Sequence, residues 1–600
     1  MRVATSCPQV HLGNVSANVG EAIAAHSAAA EMGVDVLVFP ELSLTGYSIG
    51  DLLSTNSLYA DLEVHLPRLL QAIDQDVMVV AGLPFRFAGS LYDSAAVIAH
   101  GRILGIVPKR HLPNYKEFYE SRWFRRGFKH PRDINYLGQQ FPFGSELLFK
   151  VDETLIGVEI CEDLWVANPP SIRLARHGAH LILNPSASPE QVGKSDYRRQ
   201  LITQQSGRVI CGYVYAGCDS SESTQDIVMS GHQIIAANEV ILKERLPLSD
   251  SARLLIADID IDHLNHDRLQ RGDWRARSQM TVVEVPIKSR PKKPLDSPSQ
   301  FPFIGSDADF TLEIQAHALA SRIHQTKLTK LVLGLSGGLD SSLALLVADR
   351  AAQILQLPPQ EVIHPITLPA RASSQRTKSQ AQRLADFFNL HLQSIPLEQI
   401  ADSQAQALGV DLESDVYGSI QARLRTALLM NRAGQLGGFM LGTSDLSEIA
   451  MGFSTFGGDH LSHYNVNAGV PKTLVRYLVL RTAEKLDCPV LREIAETPIS
   501  PELLGQDLSQ STEQILGSYE INDFFLYYLI RWSDTPAKII DLAQQTFPEA
   551  DIPPLFHAFY SRFLSSQWKR SVMPDGPKVG SVSLSPRGDW RLPAEMHSPE

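Results

Sequence analysis

Cysteine is scarce in this chain of 600 residues. There are five, Cys7, Cys161, Cys211, Cys218 and Cys488, odd in number and without CxxC spacing. That usage argues against a disulfide framework and structural zinc, and it suits a reducing cytoplasm. No run of about 18 uninterrupted apolar residues occurs, so no membrane-spanning helix is expected. The start, MRVATSCPQV, is a short strand-like run without the apolar stretch of a secretory signal. Long basic runs are missing as well. Fifty-four Lys+Arg stand against 66 Asp+Glu, a net charge of −12, which argues against non-specific nucleic-acid binding. Anionic substrates must therefore be met by local cations and metal. Low-complexity tracts and internal repeats are also lacking. A chain this long is expected to form more than one domain.

Proline and lysine gather in one place. The segment 286–303, PIKSRPKKPLDSPSQFPF, has few periodic apolar residues and reads as an extended linker. The expected division is 1–285, a linker at 286–305, and 306–600. Before the linker, VDVLVF, VMVVAGLPF, TLIGVEI, HLILNPS and VICGYVYAG read as strands, with helices at Ala22–Met32 and Ser195–Gly207. After it, LVLGLS, EVIHPITL, HLQSIPL and GFMLGT read as strands, with helices around Ser342–Ile354, Arg376–Phe388 and Ser419–Ala433. Both halves are α/β by pattern.

The stretch Leu331–Ser342, LVLGLSGGLDSS, carries the most information. An apolar run of strand length, Leu331–Leu335, meets the tight turn Ser336-Gly337-Gly338, and beyond Ser341 and Ser342 a helical pattern opens at Leu343–Val347. Such a turn at a helix N-terminus cradles anions. Glycine lets the backbone approach phosphate oxygens, amide N–H groups point at them, and the helix dipole favours negative charge. No Gly-Lys-Ser/Thr follows, so this is not a Walker A loop. Asp340 beside phosphates implies a bridging Mg²⁺. SGGLDS resembles the pyrophosphate loop of the ATP pyrophosphatases, which cleave ATP to AMP and pyrophosphate while adenylating a substrate.

In the amino-terminal half three residues fall at or just beyond strand ends, where a sheet can aim side chains into a pocket. Glu41 lies in FPELSLTGY, Lys109 in VPKRHLPNYKEFYE and Cys161 in GVEICEDLW. Their chemistry is coherent: a thiolate attacks an amide carbon, a carboxylate handles protons, and a lysine stabilises developing charge. Together they resemble the Glu-Lys-Cys triad of the nitrilase superfamily of carbon–nitrogen hydrolases, over roughly residues 1–270. That resemblance implies an αββα sandwich with Glu41 as general base, Lys109 as electrostatic stabiliser and Cys161 as nucleophile. It also implies Glu117 as a supporting glutamate, and a glutamine pocket with Tyr47, Tyr115, Ser188 and Lys194. Cys211 and Cys218 flank GYVYAG and read as core or near-surface residues.

Further motifs follow the phosphate loop. LGTSDLSEIAMGFSTFGGDH begins with a strand and a turn at Thr443, then offers Glu448 and Asp459 as carboxylates to share Mg²⁺ with Asp340. GSIQARLRTALLM places Arg423 and Arg425 near a helix start, suited to phosphate or adenine. NAGVPKTLVRYL sets Lys472 at a helix N-terminus, and QWKRSVMPDGPKVGSVSLSPRGDWRLP offers Lys569 and Arg570 to an acidic substrate. ETPISPELLGQDLSQSTE reads as a loop that closes over substrate.

This set, in this order, resembles the NAD synthetases, and its pairing with a nitrilase-type domain resembles their glutamine-dependent form. SHYNVNAGVPKTL and KVGSVSLSPRGDW place it nearest the bacterial, actinobacterial-like type. Ser419, where many synthetases have asparagine, and GTSDLSE, where GTGxLSE is commoner, are departures. The resemblance implies a Rossmann-like parallel sheet carrying an ATP-pyrophosphatase site. ATP and pyrophosphate would be held by Ser336, Gly337, Gly338, Asp340, Ser341, Ser342, Arg423 and Thr443. Deamido-NAD would meet Arg425, Lys472 and Lys569, and Mg²⁺ would meet Asp340, Glu448 and Asp459. It further implies glutamine, ATP and deamido-NAD as substrates and a large homo-oligomer, an octamer being one such assembly. Three alternatives stay open on the residues alone. They are an amide ligase for another acid, a regulatory protein with an inactive hydrolase domain, and an amidase with a nucleotide sensor.

Overall fold

Strands in the first 295 residues divide their side chains between two cores. Val36 and Val38 of Val36–Val38 enter one core and Leu37 the other, and Val80 and Val79 of Met78–Phe87 part the same way. A pleat of period two does this when both faces of a sheet are covered. The computed structural model describes residues 1–73, 76–249, 251–271, 280–289, 293–370, 375–497 and 517–596. It separates into two units, Met1–Leu295 and Asp296–Glu600.

The first unit holds two sheets. An eight-stranded sheet runs in the order Leu254–Asp258, Arg2–Ser6, Val36–Val38, Met78–Phe87, Ser90–Ala99, Arg102–Pro108, Gln139–Phe143, Arg132–Tyr136. A seven-stranded sheet runs Val240–Arg245, Gln233–Ala237, Gly212–Gly217, Leu181–Ser186, Thr154–Val158, Leu147–Val151, Thr281–Glu284. They share a core of Val3, Val38 and Val97 against Val158, Leu183 and Val214. The helices Val15–Glu31 and Asn56–Ala72 cover the outer face of the first sheet through Val19, Ala22, Leu62 and Leu66. Pro170–Arg176 and Lys194–Arg208 cover the second through Leu174 and Ile202. This is the αββα sandwich that the resemblance implied. The helix expected at Ala22–Met32 begins earlier because the Asn14 side chain accepts from Ala17 N–H and caps it.

The second unit is built on a parallel five-stranded sheet in the order Gln393–Ser394, Ile363–Thr367, Leu331–Gly334, Phe439–Gly442, Tyr464–Asn465. From Leu331–Gly334 the chain first winds to one side and then returns to the other. The carboxyl ends of the two middle strands therefore flank a topological switch point, where such sheets open a crevice. Leu331 and Leu333 pack under the helices Phe310–Thr326, Leu339–Ile354 and Lys472–Leu486, while Val332 packs on the opposite face against Leu429 and Ala433 of Asp415–Leu436. A separate core, rich in Phe524, Phe525, Phe556 and Phe559, unites Tyr519–Arg531, Pro536–Thr546 and Ile552–Ser565.

Two expectations change here. HLQSIPL shrinks to the two-residue strand Gln393–Ser394. Arg423 and Arg425 are not near a helix start, because Ser414 caps that helix by accepting from Tyr417 N–H, about two and a half to three turns before them. Among the described residues no helix is long and apolar enough to cross a membrane. The closing loop expected at ETPISPELLGQDLSQSTE lies almost wholly outside the described residues.

Candidate functional site

Cys161 follows the strand Thr154–Val158 and precedes the short helix Glu162–Trp165 with φ at +43°, a conformation rare for residues bearing a Cβ. Its own N–H holds the turn, donating to Pro185 O at 3.0 Å and Asn184 Oδ1 at 3.2 Å. Behind it, Tyr213 Oη–H donates to Glu159 at 2.6 Å and accepts from Asn184 Nδ2 at 2.9 Å, so a buried chain runs from Glu159 to the Cys161 backbone. Strain of this kind persists only where the surroundings over-determine it.

Glu41 and Lys109 arrive from the other sheet. Glu41 follows Val36–Val38, and its turn presses on Gly82, where a Cβ would lie 2.2 Å from Leu42 N. Lys109 directly follows Arg102–Pro108. Lys109 Nζ donates to Glu41 Oε1 at 2.5 Å and Glu120 Oε1 at 2.7 Å, and Asp93 Oδ2 stands 3.6 Å away, every one of these side chains buried. Glu41 Oε2 accepts from Ala187 N–H at 2.7 Å, and the same amide faces the cysteine sulfur. The flanking carboxylates hold the Lys109 ammonium well above its ordinary range against the opposing effect of burial. Burial first, then Glu41, pushes the Cys161 thiol up, while Lys109 pulls it down. The arrangement is therefore a buried thiol, its pKa raised, beside a glutamate side chain and a fixed cation.

The other expected residues of this half fall at different depths. Tyr47 Oη–H donates to Glu120 Oε1 at 2.7 Å, inside the cluster. Glu117 is outside it, accepting from Gln191 Nε2 at 3.2 Å, and Glu120 takes the place expected of Glu117. Tyr115 is half exposed and donates to Glu162. Lys194 Nζ lies 5.7 Å from the Phe118 ring and 5.6 Å from the Trp165 ring, and burial lowers its pKa. Ser188 is buried and accepts from Arg198 Nη2 at 3.3 Å. Cys211 and Cys218 are both buried core residues. Sequence reasoning missed Asp93 and Glu120. Each had a signal: Asp93 is a lone charge inside an apolar strand, and Glu120 stands three residues beyond Glu117 in KEFYE.

At the switch point of the second unit a cavity of about 630 Å³ opens, within the size range of small-molecule sites. Gly337 turns at φ +88°, and a Cβ there would lie 2.4 Å from Thr377 O and 3.0 Å from Ala381 N. Ser336 Oγ accepts from Gly338 N–H at 3.1 Å, and Ser341 and Ser342 bond back to Gly338 O at 3.1 and 2.8 Å. Asn467 Nδ2 donates to Asp340 O at 2.9 Å and Thr443 O at 3.0 Å, which fastens the loop after one middle strand to the turn after the other. Ser336, Gly337, Gly338, Asp340, Ser341, Thr443, Arg425, Glu448, Asp459, Lys472 and Lys569 all line the cavity. Ser342 and Arg423 are not in its wall; Ser342 is buried in its helix, and exposed Arg423 donates to Phe456 O at 3.0 Å.

Lys472 is the electrostatic centre. Its Nζ lies 2.8 Å from Asp340, 2.6 Å from Asp445 and 3.0 Å from Glu448. Those three carboxylates each offer an oxygen within 4.8 Å of the others, and Asp340 Oδ1 is buried without a hydrogen-bond partner. Three oxygens with one cation leave negative charge to spare, which fits a hard divalent ion. Asp459, expected in that set, stands apart from it and accepts from Thr455 N–H at 2.7 Å; burial raises its carboxyl. Asp445 was missed because D-x-x-E reads as a helix cap, a role it also has, accepting from Glu448 N–H at 2.8 Å. Lys569 Nζ donates to Gly452 O and Ser454 O, each at 2.7 Å. Arg570 is buried, its guanidinium donating to Ala450 O at 2.9 Å, and supports the wall rather than facing substrate.

Comparison with known proteins agrees with both sites. Residues 2–268 match the carbon–nitrogen hydrolase family and residues 312–572 the NAD synthase family. The glutamine-dependent NAD(+) synthetase of Mycobacterium tuberculosis (strain H37Rv) is 35% identical over 99% of this chain and 96% of its own. That of Mycobacterium leprae shows the same identity and coverage, and that of Aquifex aeolicus is 27% identical over 93% of each. With both families in order on one chain and such relatives matched end to end, the chain belongs to the glutamine-dependent NAD(+) synthetases, and is a glutamine-hydrolysing carbon–nitrogen ligase.

Proposed function

We propose that residues 1–285 release ammonia from glutamine, that 306–600 use it to amidate ATP-adenylated deamido-NAD, and that 286–305 join them. The observation that carries this reading is the pairing of a Glu41–Lys109–Cys161 cluster in the first unit with a phosphate loop at the switch point of the second. In the first, Glu41 takes the Cys161 thiol proton as sulfur attacks the amide carbon, and Lys109 balances the charge that develops on oxygen. The departing amine takes a proton, leaving a glutamyl thioester that water hydrolyses to glutamate. Tyr115, Ser188 and Lys194 support glutamine binding in this reading, with Lys194 the cation for its carboxylate. Glu120 takes the supporting role at Lys109, and Glu117 an outer one.

In the second site the loop Ser336–Ser341 and Arg425 hold the ATP phosphates, and Thr443 closes the opposite wall. The nicotinate carboxylate attacks the α-phosphorus, pyrophosphate leaves, and ammonia then displaces AMP from the acyl adenylate to give NAD⁺. Asp340, Glu448 and Asp445 would hold Mg²⁺, which when bound neutralises phosphate charge. Lys472 and Lys569 supply fixed positive charge beside them. A homo-oligomer in the cytoplasm belongs to the same proposal, and five free, buried thiols suit that compartment.

Two variants test the division of labour. Cys161→Ala should lose glutamine-driven NAD⁺ formation by more than about 10³-fold and keep ammonia-driven formation, since it removes only the nucleophile. Asp340→Ala should lose AMP and pyrophosphate release with either nitrogen source. Equal loss of both activities in folded Cys161→Ala protein, or full AMP release by Asp340→Ala, contradicts the assignment.

A further inference from the structure

The buried cluster around Lys109 holds one carboxyl group that the reaction above does not use. Asp93 sits on the strand Ser90–Ala99 and is 1% exposed. Neither of its side-chain oxygens has a hydrogen-bond partner among the described residues. Its nearest cation, Lys109 Nζ, is 3.6 Å away and is already engaged at 2.5 and 2.7 Å by Glu41 and Glu120. Oxygens of Glu41, Asp93 and Glu120 lie within 4.8 Å of one another.

Charge balance decides how these groups share protons. One ammonium faces three carboxyls, all of these side chains buried. Three carboxylates would leave two uncompensated negative charges, a costly state for buried groups that protonating one carboxyl relieves. The donors are distributed unequally. Glu41 accepts from Lys109 and from Ala187 N–H; Glu120 accepts from Lys109 and Tyr47 Oη–H; Asp93 accepts from nothing. The proton therefore belongs on Asp93, and the acceptor facing it is Glu41. Burial and then the Glu41 charge raise the Asp93 carboxyl well above the usual carboxylate range, in agreement with that placement.

We propose that Asp93 is a positioning residue of the glutaminase site, a carboxylic acid kept neutral that donates its O–H to the Glu41 carboxylate and so keeps Glu41 ionised as the base for Cys161. A carboxylate has room for this third donor. The other charged or titratable groups that act on Glu41's surroundings are Lys109, Glu120 and Cys161 at close range, with Tyr47, Glu162 and Glu222 beyond them. Of these, the Cys161 thiol carries the proton that Glu41 takes in the reaction, and Glu120, its carboxyl pushed up to about 7 by burial and its Oε2 unpartnered among the described residues, already accepts from two donors on Oε1. The proposal rests on Glu41 being the base.

Full-length variants test it, with ammonia-driven NAD⁺ formation as the check that each is folded. Asp93→Asn replaces the acid by an amide that also donates. Its glutaminase kcat/KM should stay within about threefold of wild type, with the acid limb of the pH profile unmoved. Asp93→Val keeps a strand-forming side chain and removes the donor. Glu41 then holds its proton more tightly, so the acid limb should move up by about one pH unit and activity near the limb fall about tenfold. The wild-type-minus-Asp93→Asn difference infrared spectrum should show a protonated-carboxyl band sensitive to D₂O, over and above those of other buried carboxyls such as Glu159.

Three results would overturn the proposal. One is loss of more than about a hundredfold in Asp93→Asn with ammonia-driven activity intact, which marks Asp93 as an ionised counter-ion of Lys109. Another is an acid limb that moves down in Asp93→Asn, because removing a real negative charge would ease ionisation of Glu41. The third is a wild-type-minus-Asp93→Asn difference spectrum without a protonated-carboxyl band. Glu41→Gln separates the two levels: if it keeps glutaminase activity, Glu41 is not the base, whatever Asp93 does.

Discussion

Among single residues, Glu159 shows how this protein places a charge where burial opposes it. It accepts from Tyr213 Oη–H at 2.6 Å and Ser171 N–H at 2.7 Å, yet burial outweighs both and pushes its carboxyl up to about 7. The sign of the consequence follows directly. A carboxyl raised from about 4.5 unfolded to about 7 folded binds more protons in the native state between those values. Stability from this group is therefore complete below about pH 4.5 and is lost as pH rises through about 7. The full shift is of order 3 kcal/mol. Glu159→Gln removes the titration, so its melting temperature should fall less between pH 5 and pH 7.5 than that of wild type. Parallel curves for the two proteins would show that Glu159 does not titrate there. Glu159 was not singled out from the sequence, and the same blindness explains Glu117. Spacing alone cannot say which of two glutamates three apart turns inward, because loop conformation decides it. Glu41, Lys109 and Cys161 were legible because each follows an apolar strand, and the two facing sheets carry them to one place.

Secondary-structure elements that bury a face on both sides were read correctly from pattern, and those held by one polar contact were not. Val36–Val38, Leu181–Ser186 and Leu331–Gly334 are apolar throughout or nearly so, and their neighbours on both faces confirm why. Helix starts at Asn14 and Ser414 were missed because a cap is a single side chain outside the apolar repeat. The phosphate loop was visible because its conformation demands glycine. Gly337 makes the demand testable. A Cβ there meets the backbone of the helix Gln375–Phe387 at Thr377 O, 2.4 Å away, in a conformation that already disfavours L side chains. Backbone does not yield as a side-chain end does. Gly337→Ala should therefore lose ATP-dependent AMP release by more than about a hundredfold while a Cys161-dependent glutaminase remains, measured with all substrates present. Gly338→Ala is the control, since its Cβ would meet only Ser336 Oγ, at 3.3 Å. Equal loss in the two variants would mean that the loop fails for want of flexibility and not for want of space.

On the scale of the whole molecule the carbon–nitrogen hydrolase and NAD synthase matches fall in separate units, Met1–Leu295 and Asp296–Glu600, and in the proposed reaction ammonia made in one is used in the other. Near pH 7 ammonia released to water is almost wholly protonated and no longer a nucleophile. The acyl adenylate that waits for it is open to hydrolysis. Both facts favour transfer without equilibration with solvent. With amide-¹⁵N glutamine and excess unlabelled ammonium, the NAD⁺ formed should then carry ¹⁵N well above the ratio in the bulk pool. NAD⁺ made directly from added ammonium is subtracted using Cys161→Ala, which lacks the glutaminase nucleophile and keeps the second site. Label diluted to the bulk ratio after that subtraction rules out direct transfer. It leaves the chemistry of each unit as assigned, because the phosphate loop and the cysteine cluster each lie within one unit.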